Sequence, residues 1–217
     1  MKIIIFANGE INDYAAMKPA TANADIIIAC DGGFRHAAAM GVVPDVIIGD
    51  LDSAPPELLE EALAKGIAIN PYPAEKDETD LELCITYANE KGAKEIKILG
   101  ATGGRIDHAL ANLHMLALAN CLAEILDEKT SVHLIKTSLT IPRDNYKTIS
   151  LIPLTTEASG ITTRGLAYPL NNETLYAGKS RGVSNVFNAD EATISVTNGL
   201  LLAIRSSSAE GHSRDPI

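Results

Sequence analysis

Residues 44–53 run PDVIIGDLDS. Val46–Ile48 is an apolar, β-branched run that stops at a glycine and is followed by two aspartates. Ser53, Pro55-Pro56 and Glu57 then give the signal of a helix start. A strand without polar alternation is one covered on both faces, as in a parallel sheet. A strand that runs into an acidic loop and then into a helix is one β-α unit of such a sheet.

The same unit recurs on either side. Strand-like runs lie at Lys2–Ala7, Asp25–Cys30, Ile67–Asn70, Glu95–Leu99 and Val132–Ile135. Amphipathic helical patterns lie between them at Phe34–Met40, Glu57–Lys65, Thr79–Lys91 and Asp107–Ala119. Thr79 has the position of an N-cap, and Glu82 completes a capping box. The alternation predicts an α/β domain over residues 1–136 built on a mostly parallel, layered sheet.

Beyond about Lys136 helical periodicity ends. Short β-rich segments follow at Lys147–Pro153, Gly160–Thr163, Glu173–Tyr176, Gly182–Val186, Ala192–Val196 and Leu200–Arg205. Asn171-Asn172 and Asn198-Gly199 are turn signals, and the second predicts a hairpin. Residues 137–205 therefore read as an antiparallel β-sandwich, and the polar stretch 206–217 as a mobile tail.

Four loops carry the chemistry. They are Asp31-Gly32-Gly33, Gly49-Asp50-Leu51-Asp52-Ser53, Lys76-Asp77-Glu78-Thr79-Asp80 and Gly103-Gly104-Arg105-Ile106-Asp107-His108. Each follows a strand-like run, and in an open α/β sheet such loops gather at the carboxyl edge where ligands bind. Asp50 and Asp52 are two residues apart and project to one side of extended chain, where two carboxylates repel each other unless a cation intervenes. Mg²⁺ prefers such oxygen ligands. Asp80 is the third candidate ligand. Each cluster also has a plain structural use: Ser53, Asp77 and Asp80 as helix caps, Asp31 as an Asx-turn.

GATGGRIDH at residues 100–108 joins a strand to a helix. Its glycines let backbone approach phosphate, and Arg105 can grip phosphate oxygens with two N–H groups. The loop lacks the Lys-Ser or Lys-Thr of a P-loop and is not G-x-G-x-x-G. His36, His108, His114, His133 and His212 form no zinc spacing, and Ser53 and Ser184 lack the context of a serine nucleophile.

The net charge of -10 argues against a nucleic-acid surface, although local cations and Mg²⁺ can still hold a nucleotide. Cys30, Cys84 and Cys121 lie far apart in apolar contexts and read as free thiols. Ile3–Ala7 is too short for a signal-peptide core, and no stretch approaches transmembrane length, so a cytoplasmic protein without membrane partners is expected.

In order, DGG (31–33), PDVIIGDLDS (44–53), KDETDLELCI (76–85), GGRIDHALANLHML (103–116), GLAYPL (165–170), GVSN (182–185) and NGLLLAI (198–204) resemble the thiamine pyrophosphokinase family over almost the whole chain. The resemblance implies a Rossmann-like three-layer nucleotide domain followed by a thiamine-binding, dimer-forming β-sandwich. It implies ATP-dependent transfer of pyrophosphate to the hydroxyl of thiamine, giving thiamine diphosphate and AMP. It implies a homodimer with the active site at the subunit interface.

Carried over by position, Asp50, Asp52 and Asp80 match Mg²⁺-binding aspartates, and together with Arg105 they form the expected catalytic set. Thr79, Gly104 and Arg105 match ATP contacts, to which the loops add Asp31, Gly32, Ser53, Lys76 and Gly103. Asp107, Ser184 and Asn185 match positions near thiamine. Two features depart from the family pattern: Val186 stands where an acidic residue often follows Ser-Asn, and there is no tryptophan. Tyr72, Tyr168 and Phe187 are the remaining aromatic candidates for the thiamine rings. A non-catalytic nucleotide or vitamin sensor and a Mg²⁺-dependent phosphohydrolase are the alternatives, and assay with ATP, Mg²⁺ and thiamine separates all three.

Overall fold

The computed structural model describes residues 1–51, 60, 62–73 and 75–207. The chain forms two compact units, Met1–Glu128 and Lys129–Ile217.

The first unit is the α/β layer structure. Its strands are β1 (Lys2–Phe6), β2 (Ile26–Cys30), β3 (Val46–Gly49), β4 (Ala68–Pro71), β5 (Glu95–Leu99) and β6 (Leu122–Leu126). They are ordered β6-β5-β1-β2-β3-β4, with every adjacent pair parallel. The order reverses between β1 and β5, which opens a crevice at their carboxyl ends. Ile3, Ile4 and Ile5 have no exposure at all, as two-sided cover requires. Ile4 and Phe6 pack with Met17, Ala37 and Met40 on one face. On the other face Cys30 meets Cys84 of the helix Asp80–Glu90. Burying each such isoleucine contributes about 1.5–3 kcal/mol.

The helix predicted at Phe34–Met40 covers Phe34–Ala39, and that predicted at Thr79–Lys91 covers Asp80–Glu90. Thr79 is its N-cap, its side chain accepting from the Glu82 amide. The pattern at Asp107–Ala119 becomes the helix Ile106–Met115 and a 3₁₀ turn, Leu116–Leu118. Of the helix expected at Glu57–Lys65, residues 60 and 62–64 are helical, and the rest through residue 61 lies outside the described residues.

Strand β6 escaped the sequence reading because Glu124 interrupts its apolar run. Glu124 is in register with Lys97 on β5, and Lys97 Nζ lies 3.3 Å from its carboxylate. That cross-strand pair lets a buried carboxylate occupy the sheet.

The second unit holds β7 (Thr130–Ile135), β8 (Ser138–Pro142), β9 (Thr148–Pro153), β10 (Glu157–Arg164), β11 (Glu173–Tyr176), β12 (Asn185–Val186), β13 (Glu191–Ser195) and β14 (Leu201–Ser206). They run in the orders β12-β9-β14-β7 and β11-β10-β13-β8, and all recorded pairs are antiparallel. Ile135, Ile149, Leu151, Leu201 and Ala203 from the first set share a core with Ile141, Ile161, Leu175 and Ile194 from the second.

Three expectations are corrected here. Val132–Ile135 is not a further parallel strand: it pairs antiparallel with β14. Asn198-Gly199 is a turn but closes no hairpin. β13 pairs with β8 and β10, whereas β14 is held between β7 and β9 over its full length, a larger set of ladder bonds than one tight turn commands. Ser206 is not tail but the end of β14, and Ser207 donates its amide to Lys129. Residues 208–217 lie outside the described residues.

Candidate active site

The crevice between β1 and β5 is built by two loops in close contact. The Gly9 amide donates to the Gly100 carbonyl at 2.7 Å, and the Glu10 amide to Thr102 at 3.2 Å. A Cβ on Gly9 would lie 2.4 Å from the Gly100 oxygen, so only glycine permits this approach. Gly33 does the same work on the neighbouring loop, where a Cβ would fall 2.0 Å from the Phe6 carbonyl oxygen. The Asp-Gly-Gly turn can therefore press onto the exit of β1.

His36 ties these loops together. Its Nε2–H donates to the Gly9 carbonyl at 2.8 Å, and its Nδ1 accepts from the Tyr14 hydroxyl at 2.9 Å. Burial lowers its pKa; the Gly9 carbonyl opposes that shift and the nearby Arg35 charge adds to it. The ring is thus held as the neutral tautomer.

A cleft of about 800 Å³ opens above this floor. It is lined by Asp31, Asp50, Lys76, Thr79, Asp80, Gly103, Gly104, Arg105 and Asp107, as well as by Asn8, Gly9, Glu10, Arg35, His108, Asn112 and Met115. One carboxylate oxygen from each of Asp31, Asp50 and Asp80 lies within 4.8 Å of the others. Asp31 is buried and has φ +47°, a left-handed conformation a non-glycine residue adopts at a cost. That backbone brings its carboxylate in from the end of β2.

Lys76 Nζ donates to Asp80 Oδ1 at 2.7 Å. Burial acts to lower the lysine pKa, but the Asp80 bond and charge, with Asp50 behind them, outweigh it and hold the ammonium charged. Arg105 grips Asp107 with two bonds, Nε to Oδ1 at 3.2 Å and Nη2 to Oδ2 at 2.6 Å. The pair holds the Asp107 pKa down to about 2, so this carboxylate is a weak proton acceptor as it stands. The Cys30 thiol, hydrogen-bonded to Cys84 and buried, has its pKa raised well above normal and stays protonated. It is no nucleophile.

Of the residues picked out from the sequence, Gly32 does not line the cleft and instead lies against the Asn8 side chain. Asp52 and Ser53 lie outside the described residues. The sequence reading missed Asn8, Glu10, Arg35 and Asn112. The Asn8-Gly9 pair directly after the apolar run of β1 was the available signal for the first two. Asn112 is visible only in three dimensions, where its Nδ2 donates to the Ala101 carbonyl at 2.7 Å.

Ser184 and Asn185 lie in the second unit, beside a hollow of about 300 Å³ that Tyr168, Arg181 and Val183 help to line. Ser184 has φ +58°, and its amide donates to Ser150 Oγ. Asn185 is buried, and its side chain is spent on backbone: Oδ1 accepts from Tyr168 and Val186, and Nδ2 donates to the Tyr168 carbonyl. It shapes the loop that carries Tyr168. Phe187 is in the sandwich core and is withdrawn from the aromatic candidates. Tyr168 and Tyr72 are exposed.

Comparisons with known proteins agree on one family. A profile described as thiamin pyrophosphokinase, catalytic domain, matches residues 17–125. A second, thiamin pyrophosphokinase, vitamin B1 binding domain, matches residues 136–201. The thiamine pyrophosphokinase of Bacillus subtilis (strain 168) is 32% identical over 212 residues, covering 95% of this chain and 99% of the relative. Thiamine pyrophosphokinase 1 of Oryza sativa subsp. japonica is 31% identical over 71% of this chain and 62% of the relative. The crystal structure of the Bacillus subtilis thiamine pyrophosphokinase superposes with a TM-score of 0.86, covering 96% of this chain and 100% of that one at 29% identity. The yeast thiamin pyrophosphokinase structure, at 16% identity and a TM-score of 0.76, shares the fold.

Proposed function

The chain belongs to the thiamine pyrophosphokinase family, and we propose that the acidic cleft of its first unit is where pyrophosphate passes from ATP to the hydroxyl of thiamine. The protein is an enzyme, and its products are thiamine diphosphate and AMP. The observation that carries the site assignment is the meeting of Asp31, Asp50 and Asp80 beside the β1–β5 crevice. A sensor needs shape and a few hydrogen bonds; three carboxylates within 4.8 Å repel one another and are retained where a cation offsets them.

The donor set fits Mg²⁺: all oxygen, compact and strongly acidic. Asp31, Asp50 and Asp80 would hold it, with Asp52 as the further ligand expected from the sequence. Bound there, Mg²⁺ would supply charge neutralisation for the phosphate oxygens. Lys76 adds a fixed positive charge beside these ligands. The glycines at 100, 103 and 104 let phosphate approach the backbone closely. Arg105, freed from Asp107, can turn its two-pronged grip to a phosphate oxygen. Transfer of this kind has a loose transition state and depends mainly on alignment and charge stabilisation, so no strong general base is required. That agrees with the weak basicity of Asp107.

Ser184 and the exposed Tyr168 support the second unit as the thiamine side of the reaction. The helix Ile106–Met115 buries none of its residues fully and leaves Ile106 and Leu110 exposed. An apolar helix face of that kind supports a homodimer, with the active site completed at the subunit interface. The composition and thiols support a cytoplasmic enzyme.

Incubation with ATP, Mg²⁺ and thiamine followed by product analysis tests the reading. AMP and thiamine diphosphate in equal amounts are expected. Release of phosphate or pyrophosphate without thiamine would indicate a phosphohydrolase, and binding without AMP a sensor.

A further inference from the structure

Among the described residues three cations line the acidic cleft, and two are already engaged by carboxylates: Lys76 by Asp80 and Arg105 by Asp107. Arg35 differs. Its Nη2 donates to the Asn8 carbonyl at 3.0 Å and to the Gly9 carbonyl at 3.1 Å. Among the described residues no carboxylate pairs with it. Two carbonyls fix the guanidinium without neutralising it. A guanidinium presents its donors in a rigid fork, and bonding both carbonyls through Nη2 leaves the Nη1 and Nε donors to spare on a residue that lines the cleft.

The placement has a structural cause. The Asp31-Gly32-Gly33 turn presses onto the end of β1, and the helix Phe34–Ala39 starts directly after it. Arg35 therefore emerges over the Asn8–Gly9 loop, at one lip of the crevice where the strand order reverses. The Gly9 carbonyl is also held from below by His36, so the platform under Arg35 is braced from two sides.

We propose that Arg35 is a phosphate-binding residue of this site, a preset cation on the Asn8–Gly9 platform that takes a non-bridging oxygen of the ATP triphosphate. The proposal rests on the activity proposed above. The chemistry selects between the two substrates: thiamine carries a positively charged thiazolium ring, which a guanidinium repels, whereas the triphosphate is the anion. Because its anchors are uncharged, Arg35 needs no carboxylate to be displaced before it binds, unlike Lys76 and Arg105.

The test is a comparison of the full-length wild type with Arg35→Ala and Arg35→Lys. In Arg35→Ala the KM for Mg²⁺-ATP should rise by ~10- to 100-fold, the scale of one lost charge-assisted hydrogen-bond contact. The thiamine KM should stay within about threefold, since uniform disruption is not expected from losing one phosphate contact. Equilibrium affinity for adenosine should be the same in both proteins, while affinity for ATP falls. Arg35→Lys should recover part of the loss, as a point charge replaces a fork. An unchanged ATP KM overturns the proposal. So does a parallel loss of adenosine, ATP and thiamine binding with a lower Tm, which would make Arg35 only a strut for the loop. If the wild type forms no thiamine diphosphate, the activity reading fails, and the ATP-against-adenosine binding comparison still decides the role of Arg35.

Discussion

Lys76 Nζ and Asp80 Oδ1, four residues apart in the chain, stand 2.7 Å from each other in the lining of the acidic cleft. The lysine neutralises one of three clustered carboxylates and so occupies a position a metal ion would compete for. Lys76→Met should therefore bind Mg²⁺ more tightly in the absence of nucleotide, by roughly 3- to 10-fold, the size of a partly screened charge interaction. Turnover should fall by ~10- to 100-fold, because the same charge would serve the phosphates. Calorimetric titration with Mg²⁺ alone checks the first effect, and weaker binding would show that Lys76 does not oppose the cation.

Asp50→Asn separates the catalytic from the structural use of the cluster. If Asp50 were only a turn residue, the change would be close to neutral for turnover. As part of a cation site its loss should lower turnover by at least ~100-fold at saturating Mg²⁺. Removing one of three mutually repelling carboxylates should leave Tm equal or higher in Mg²⁺-free buffer. Near-normal turnover would refute the assignment.

The buried His36 predicts a pH dependence of stability. Its pKa is lowered in the folded state, chiefly by burial, with Arg35 adding to the effect and the Gly9 carbonyl opposing it; Tyr14 is the other polar group on the ring. The unfolded chain therefore takes up the proton first. The stability His36 contributes is complete above the unfolded value of about 6.5 and is lost as pH falls below it toward the folded value, then levels off. The drop in Tm between pH 7.5 and pH 5.5 should be smaller in His36→Gln than in the wild type. An identical drop would mean that carboxylates alone set the acid sensitivity.

Much of the first unit was legible because a two-sided parallel sheet writes itself as unbroken apolar runs. The loops after β2, β3 and β5 stood out because acidic residues and glycines interrupt those runs abruptly. What stayed hidden was whatever depends on pairing across the fold. β6 carries Glu124, which looks like a strand breaker until Lys97 is placed beside it. β7 looks like its parallel predecessors, and only its partner β14 gives its direction. Arg35 reads as an ordinary helix residue, because nothing in its neighbours shows that its guanidinium rests on the carbonyls of Asn8 and Gly9, at the end of another strand. Asn185 was expected beside thiamine from its match alone, and only the fold shows that its amide is also bonded to the backbone of Tyr168 and Val186.

That difference between Ser184 and Asn185 yields the last prediction. Asn185 is buried and satisfies three backbone groups, so Asn185→Ala leaves unpaired polar atoms and should cost about 1–3 kcal/mol of stability. Its Tm should fall clearly, with any kinetic defect following from a displaced Tyr168. Ser184 is exposed, and its amide rather than its hydroxyl makes the bond to Ser150. Ser184→Ala should keep its stability to within about 0.5 kcal/mol of the wild type, the range typical of surface changes, with a nearly unshifted Tm. It should raise the thiamine KM more than the ATP KM, as follows from the proposed place of that hydroxyl on the acceptor side. Thermal melts and substrate titrations on the two variants check this. A selective ATP defect in Ser184→Ala would move that serine to the other substrate, and an unshifted Tm in Asn185→Ala would return Asn185 to the binding surface.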